Sequence, residues 1–234
     1  MKGMEPVAED WRTALAIVAH PDDLEYGAAC AIAKWTAQGK TVIEVLATRG
    51  EAGIQSMPPE EVGPIRSAEQ IEAARRVGVE TVEFLDHPDG MLEYGLPLRR
   101  DLARAIRRHR PDVVISGNFR DHFPGGFFNM ADHRVLGLAV ADAVRDASNP
   151  WVFRDLEEPA WHGVRFSLFA GSPQATHYVD VTGHLERGLS ALGAHKVYFD
   201  NLDGHDGTEN MVRGMAAAVG EAVGVTHAIG FELL

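Results

Sequence analysis

The sequence predicts an α/β fold: a Rossmann-like parallel sheet with helices on both faces, in a single domain spanning residues 1–234. Three observations carry this. Short β-rich runs alternate with helical periodicity four times between residues 13 and 146, the pattern of strands joined by crossover helices. The composition, 45% hydrophobic and 24% charged, is ordinary for a globular protein. A chain of 234 residues also suffices to bury roughly 70–75% of its unfolded surface.

The first four predicted strands are 14–19, 41–48, 81–85 and 112–116, each a β-branched or apolar run bounded by turn residues. Between them lie helices marked by Leu24, Ala28, Ile32 and Trp35, then by Ile65, Ala68 and Ile71, then by Leu98, Leu102 and Ile106 in a segment rich in arginine. Three- and four-residue spacing of these apolar positions predicts amphipathic helices, the last with its arginines facing water. A further helix opens at Asp132-His133 and continues through Leu136, Val140, Ala143 and Val144. Beyond Pro150 the rhythm weakens into strands at 165–169 and 178–181, helices at 185–195 and 209–223, and a last strand at 228–233. No Gly-, Ser- or charge-rich linker and no repeat divides the chain.

A net charge of −12 repels phosphate backbones and anionic lipid surfaces, which argues against nucleic-acid and membrane partners. No segment approaches the roughly 20 apolar residues that span a bilayer, and a cytoplasmic location is the expectation. Cys30, the only cysteine, sits among alanines and reads as a small buried hydrophobe. The oligomeric state is left open.

In an open parallel sheet the loops at the carboxyl ends of the strands share one rim, and ligands bind there. These loops are 20–25, 49–63, 86–95 and 117–131, the last three longer than a connection needs. The first holds His20-Pro21-Asp22-Asp23. At a strand-to-helix turn this tetrad can present His20 and Asp23 to one metal ion while Asp22 stays free to handle a proton. Ordinary helix-start chemistry is the duller account, with Pro21 at the first helical position and carboxylates at the positive end of the dipole. His133 opens a helix on the same rim. His20, Asp23 and His133 can therefore converge, and two imidazoles with one carboxylate leave coordination positions open, as catalytic zinc sites do. Asp132 reads as an N-cap or a partner behind a ligand. A nucleotide-binding module fits poorly, because carboxylates replace the glycine-rich loop that cradles phosphate.

At this point the chain resembles the LmbE-like (PIG-L) metal-dependent de-N-acetylases. The likeness rests on Ala19-His20-Pro21-Asp22-Asp23 with Glu25, on Thr48-Arg49-Gly50-Glu51, on Asp89-Gly90, on Asp132-His133-Arg134 and on Leu192-Gly193-Ala194-His195. It implies a hydrolase that removes acetate from glucosamine-type sugars, with His20, Asp23 and His133 holding Zn²⁺ and Asp22 as general base. It further implies that Arg66 and Asp89 hold sugar hydroxyls, and it draws His195 into the substrate site. Arg49 is read as steering an anionic substrate group or pairing with Glu51. Fe²⁺, Co²⁺ or Mn²⁺ would also suit such ligands.

One position departs from the family. A second His often stands three residues before the downstream ligand; here that place is Met130. A thioether donates no hydrogen bond, and losing one oxyanion donor costs about 10²–10³ in rate. Asn129, His177 and His195 are the substitutes to test, with Asp22 shuttling the proton alone as the remaining option. Two rival readings keep the site: an amidase for another N-acyl or thiol-conjugate substrate, and a catalytically weak metal- or sugar-binding protein.

Overall fold

A computed structural model describes residues 3–202 and 207–234. The elements run β1 (Glu5–Pro6), β2 (Thr13–Val18), α1 (Asp23–Gly27), α2 (Ala29–Ala37), β3 (Thr41–Leu46), α3 (Pro59–Arg76), β4 (Thr81–Phe84), α4 (Leu96–His109), β5 (Val113–Gly117), α5 (Ala131–Ser148), β6 (Phe166–Ala170), β7 (His177–Asp180), α6 (Leu185–Leu192), α7 (Lys196–Asp200), α8 (Thr208–Val223) and β8 (Ala228–Leu233). The eight strands form one sheet in the order β1-β7-β8-β6-β5-β2-β3-β4.

Strand β2 shows why the sheet is covered on both faces. Successive side chains point to opposite faces. Ala14, Ala16 and Val18 accordingly join the core built with Ile32 and Trp35 of α2 and Leu185 and Leu189 of α6. Leu15 and Ile17 join the core of Leu102 and Ile106 from α4 and Leu136 and Val140 from α5. The chain runs outward from β2 through β3 to β4, then returns to place β5 on the other side of β2. The reversal opens a crevice between the carboxyl ends of β2 and β5, where ligands bind in such sheets. His20 follows β2, and His133 lies in the first turn of α5, the helix that follows β5.

Several expectations are corrected. Strand β8 runs antiparallel to both β6 and β7, because an apolar run encodes burial and not direction. Pro21 precedes the helix instead of opening it: Asp22 occupies the N-cap with φ 88° and α1 begins at Asp23. The helix expected from Leu24 to Trp35 breaks at Ala28, where Gly27 lets α1 approach β6 closely; a Cβ there would lie 3.1 Å from that of Ala170. Arg107 is buried, its guanidinium donating to the carbonyls of Ala147 (3.1 Å), Asn149 (2.9 Å) and Val152 (2.9 Å) at and just beyond the end of α5, where intrahelical donors run out. On α3 the buried stripe is Val62, Arg66, Gln70 and Ala73, while Ile71 is 52% exposed. That polar stripe faces the site. Cys30 is buried as expected, and burial pushes its thiol up to about 11. No helix among the described residues is long and apolar enough to cross a membrane.

Candidate metal centre and active site

The turn after β2 is folded by its own side chains. The Asp23 carboxylate accepts the backbone N–H groups of Ala19 (3.0 Å) and His20 (2.9 Å), curling the chain back on the strand end. Asp22 is thereby held in the left-handed region, which costs an ordinary residue energy but suits Asp and Asn better than most. Its N–H donates to Gln70 Oε1 at 3.0 Å and its Oδ1 accepts from Arg66 Nη2 at 3.3 Å.

Arg66 braces this turn from behind. Only 2% exposed, it donates to the carbonyls of Pro21 (2.6 Å) and Gly50 (3.0 Å) and lies over the Tyr198 ring, 3.6 Å from the centroid. Gly50 is required for that approach: its φ is +64°, and a Cβ would stand 2.3 Å from Arg66 Nη1. Gln70, one helical turn on, donates from Nε2 to the buried carboxylates of Glu44 (3.0 Å) and Glu25 (3.3 Å). Glu51 ties the second and third rim loops, accepting the N–H groups of Arg49 (3.1 Å) and Asp89 (2.9 Å).

Three donor atoms converge at the crevice. His20 Nδ1 lies 3.3 Å from His133 Nε2, and the Asp23 carboxylate lies 3.0 Å from His133 Nε2 and 3.6 Å from His20 Nδ1. Bonds of about 2.0–2.1 Å at near-tetrahedral angles set ligand atoms roughly 3.3–3.4 Å apart, so this spacing fits one small divalent ion. On the far side of the ring, His20 Nε2 faces Asp89 Oδ1 (3.0 Å) and Asp132 Oδ2 (3.2 Å). These carboxylates also accept backbone N–H groups, Asp89 from Ala52 (2.8 Å), Asp132 from Gly90 (2.8 Å) and Leu92 (3.2 Å). A second trio, His20-Asp89-Asp132, is compact enough to hold a cation. Its geometry better matches carboxylates accepting the outer N–H of a metal-binding imidazole.

The charges agree with a cation site. Burial would lower the His20 pKa, but Asp23, Asp132 and Asp89 outweigh it and push it up to about 12; His133 is raised against burial by Asp23. Burial opposes ionisation of Asp23, yet the two imidazoles hold it well below the usual carboxylate range. Asp22 differs: burial raises it to about 7, with Arg66 pulling the other way. The cluster thus demands positive charge, which a divalent ion supplies as the imidazole protons leave.

The sequence-predicted residues divide in two. His20, Asp22, Asp23, Asp89, Asp132 and His133 come together. Arg66 is buried and spent on the turn, and Asp89, half-buried with its side chain 8% exposed, is engaged with His20, because an enclosed guanidinium or carboxylate must find partners. Arg49 lies near Ser67 (3.4 Å) and Asp86 (3.6 Å) and over the Phe84 ring, while Glu51 takes only its backbone N–H. His195 is fully enclosed, 3.6 Å from Glu25 and closed off from a substrate. His177 begins β7 level with Ala170 at the carboxyl end of β6, both facing Phe231, but three strands, β8, β6 and β5, separate it from β2. Gln70 and Tyr198 went unnoticed in the sequence, and Asn129 was read there only as a substitute for the absent second His; the Arg66–Gln70 spacing of four, one face of a helix, was the available signal for Gln70.

Comparison with known proteins places the family and the fold. The family model described as PIG-L, GlcNAc-PI de-N-acetylase, matches residues 15–144. The chain is 28% identical over 231 residues to the diacetylchitobiose deacetylase of Thermococcus kodakarensis, covering 96% of this chain and 84% of that one. It is 27% identical over 250 residues to the 1D-myo-inositol 2-acetamido-2-deoxy-alpha-D-glucopyranoside deacetylase of Kineococcus radiotolerans, covering 79% and 68%. The solved N,N'-diacetylchitobiose deacetylase of Pyrococcus horikoshii superposes with a TM-score of 0.88 at 28% identity, covering 97% and 85%. The chain belongs to the PIG-L family of amide hydrolases acting on N-acetyl groups.

Proposed function

We propose that this protein is a zinc-dependent N-deacetylase of N-acetylglucosamine-type sugars or their conjugates, with His20, Asp23 and His133 holding the metal and Asp22 moving the proton. The observation that carries the reading is the convergence of His20 Nδ1, Asp23 and His133 Nε2 within 3.6 Å of one another at the switch point of the sheet. Two imidazoles and one carboxylate are a donor set that zinc accepts, and both outer ring nitrogens have acceptors. When bound, such an ion polarises the acetamide carbonyl and lowers the pKa of an attacking water.

The chain's own part is proton transfer. Asp22 takes the water's proton as the C–O bond forms, then returns it to the sugar nitrogen as the C–N bond breaks, releasing acetate and a free amine. A carboxyl that burial raises to about 7 suits both halves. The alternatives are poorly placed. Met130 has no donor, Asn129 has its amide committed, His177 lies on β7 with three strands between it and β2, and His195 is enclosed.

The test uses purified protein with N,N'-diacetylchitobiose and a 2-acetamido-2-deoxy-glucopyranosyl inositol, with acetate and free amine measured before and after chelation. Release abolished by chelator and restored by Zn²⁺ supports the reading. Full turnover in metal-free protein rejects it, and metal-dependent cleavage confined to other N-acyl compounds moves the substrate class to a different amide.

A further inference from the structure

We propose that Asn129 is a positioning residue that fixes the tautomer and orientation of the His133 ring, and so sets the metal affinity of the site; this rests on the metal-binding reading above. Asn129 stands two residues before α5 and is 1% exposed. Its Nδ2 faces the carbonyls of Asn118 (2.7 Å) and Arg120 (3.0 Å). Two carbonyl oxygens only accept, so the NH₂ end of the amide must face them. The oxygen end is thereby aimed at the Met130 N–H (2.9 Å) and at His133 Nδ1 (3.1 Å).

The consequence falls on the ring. With a cation held at the site each ring keeps one proton, and because an amide oxygen cannot donate, His133 keeps its proton on Nδ1 and turns the bare Nε2 toward Asp23 and His20. His20 is fixed in the opposite sense, with Nε2–H directed at Asp89 and Asp132 and a bare Nδ1 facing inward. Opposite tautomers put two lone pairs 3.3 Å apart, an arrangement that favours a shared cation. With the other His133 tautomer, an N–H would occupy the ligand position.

The two rings differ in what holds them. Two carboxylates back His20, whereas His133 depends on one neutral amide belonging to the fourth rim loop. That loop is braced by a second buried asparagine: Asn118 accepts the Arg120 N–H (2.9 Å) and donates to the His122 carbonyl (2.9 Å). The fold of residues 118–129 and the affinity for metal are therefore coupled through the Asn129 amide.

The experiment measures zinc affinity by competition with a chromophoric chelator for wild type, Asn129→Leu, Asn129→Asp and His133→Ala. A long-range ¹H–¹⁵N spectrum of zinc-loaded wild type reports the His133 tautomer independently of activity and of any variant's folding. The expected results are an Nδ1–H pattern for His133, a loss of about 10–100-fold in zinc affinity for Asn129→Leu, and partial recovery in Asn129→Asp, which restores the acceptor. An Nε2–H pattern, or a folded Asn129→Leu within threefold of wild type, overturns the inference. Wild type without stoichiometric zinc binding, or His133→Ala with unchanged affinity, instead overturns the metal site and takes this proposal with it.

Discussion

Replacing Asp22 by Asn removes one chemical property and almost nothing else. The side chains are isosteric, and Asn tolerates the left-handed backbone that Asp22 adopts at φ 88°. The N–H bond to Gln70 belongs to the backbone, and an amide oxygen can still accept from Arg66 Nη2, which keeps its bonds to Pro21 and Gly50. The Asp22 carboxyl is already raised to about 7, burial outweighing the pull of Arg66, so a neutral isostere does not lower the melting temperature of the metal-free protein. None of the three donor atoms changes, so zinc stays bound. What disappears is a group able to accept a proton, worth about 10²–10⁴ in rate, or roughly 3–5 kcal/mol of activation free energy. With one carboxyl serving both halves of the reaction, the loss belongs at the upper end. The assay is acetate release at saturating substrate, with zinc content and melting temperature measured on the same preparation. A variant holding a full equivalent of zinc and more than a tenth of wild-type kcat would refute the assignment.

Removing metal should cost stability as well as activity: at a free zinc concentration 100 times its Kd the ion contributes about 2.7 kcal/mol. For a chain of this size that is a rise in Tm of roughly 5–11 °C, and identical melting curves with zinc and with chelator would count against a structured site. Gly50→Ala should displace Arg66, since its Cβ would lie 2.3 Å from Nη1; a loss of about 1–3 kcal/mol in denaturant melts with at least tenfold lower kcat is expected. Gly63→Ala, whose Cβ would meet nothing nearer than 3.4 Å, is the tolerated control. Glu44 is buried against Glu25 and Gln70, with His195 beyond Glu25, and burial first, then the Glu25 charge, raises its carboxyl well above 4.5. A carboxyl raised by folding loses its stabilising contribution as pH climbs from its unfolded value through its folded one. Wild type should therefore lose stability relative to Glu44→Gln on going upward from about pH 4.5, and parallel stability curves would contradict the buried, protonated state.

The parts of this molecule that follow from periodicity were legible in the sequence. Leu98, Leu102 and Ile106 bury as their spacing demands, as do Leu136, Val140 and Ala143, because four-residue spacing and an apolar core admit one answer. On α3 the same logic misled. Ile65, Ala68 and Ile71 suggested one face, but the helix turns Arg66 and Gln70 inward, since hydrogen bonds to Pro21, Gly50, Asp22, Glu25 and Glu44 repay their desolvation. Hydrophobic periodicity is blind to a buried polar layer, and this layer supports the turn that carries Asp22.

The candidate ligands were legible for a different reason: their chemistry is scarce, and strand-to-helix turns place them on one rim whatever the intervening sequence does. Their supports are common residue types whose meaning is positional. Asp89 and Arg66 illustrate the difference, since family likeness set them against a sugar while the fold spends their polar atoms on His20 and on the Asp22 turn. A buried charge goes first to whatever satisfies it. Arg49, with a side chain 43% exposed beside the Gly50-Glu51 turn, is a cation still open to a substrate at the rim. Steering by Arg49 predicts a higher KM at unchanged kcat in Arg49→Gln, an effect that should fade as salt screens the charge. An unchanged KM at low ionic strength would return Arg49 to its contacts with Asp86 and Ser67 and leave neutral groups to bind the sugar.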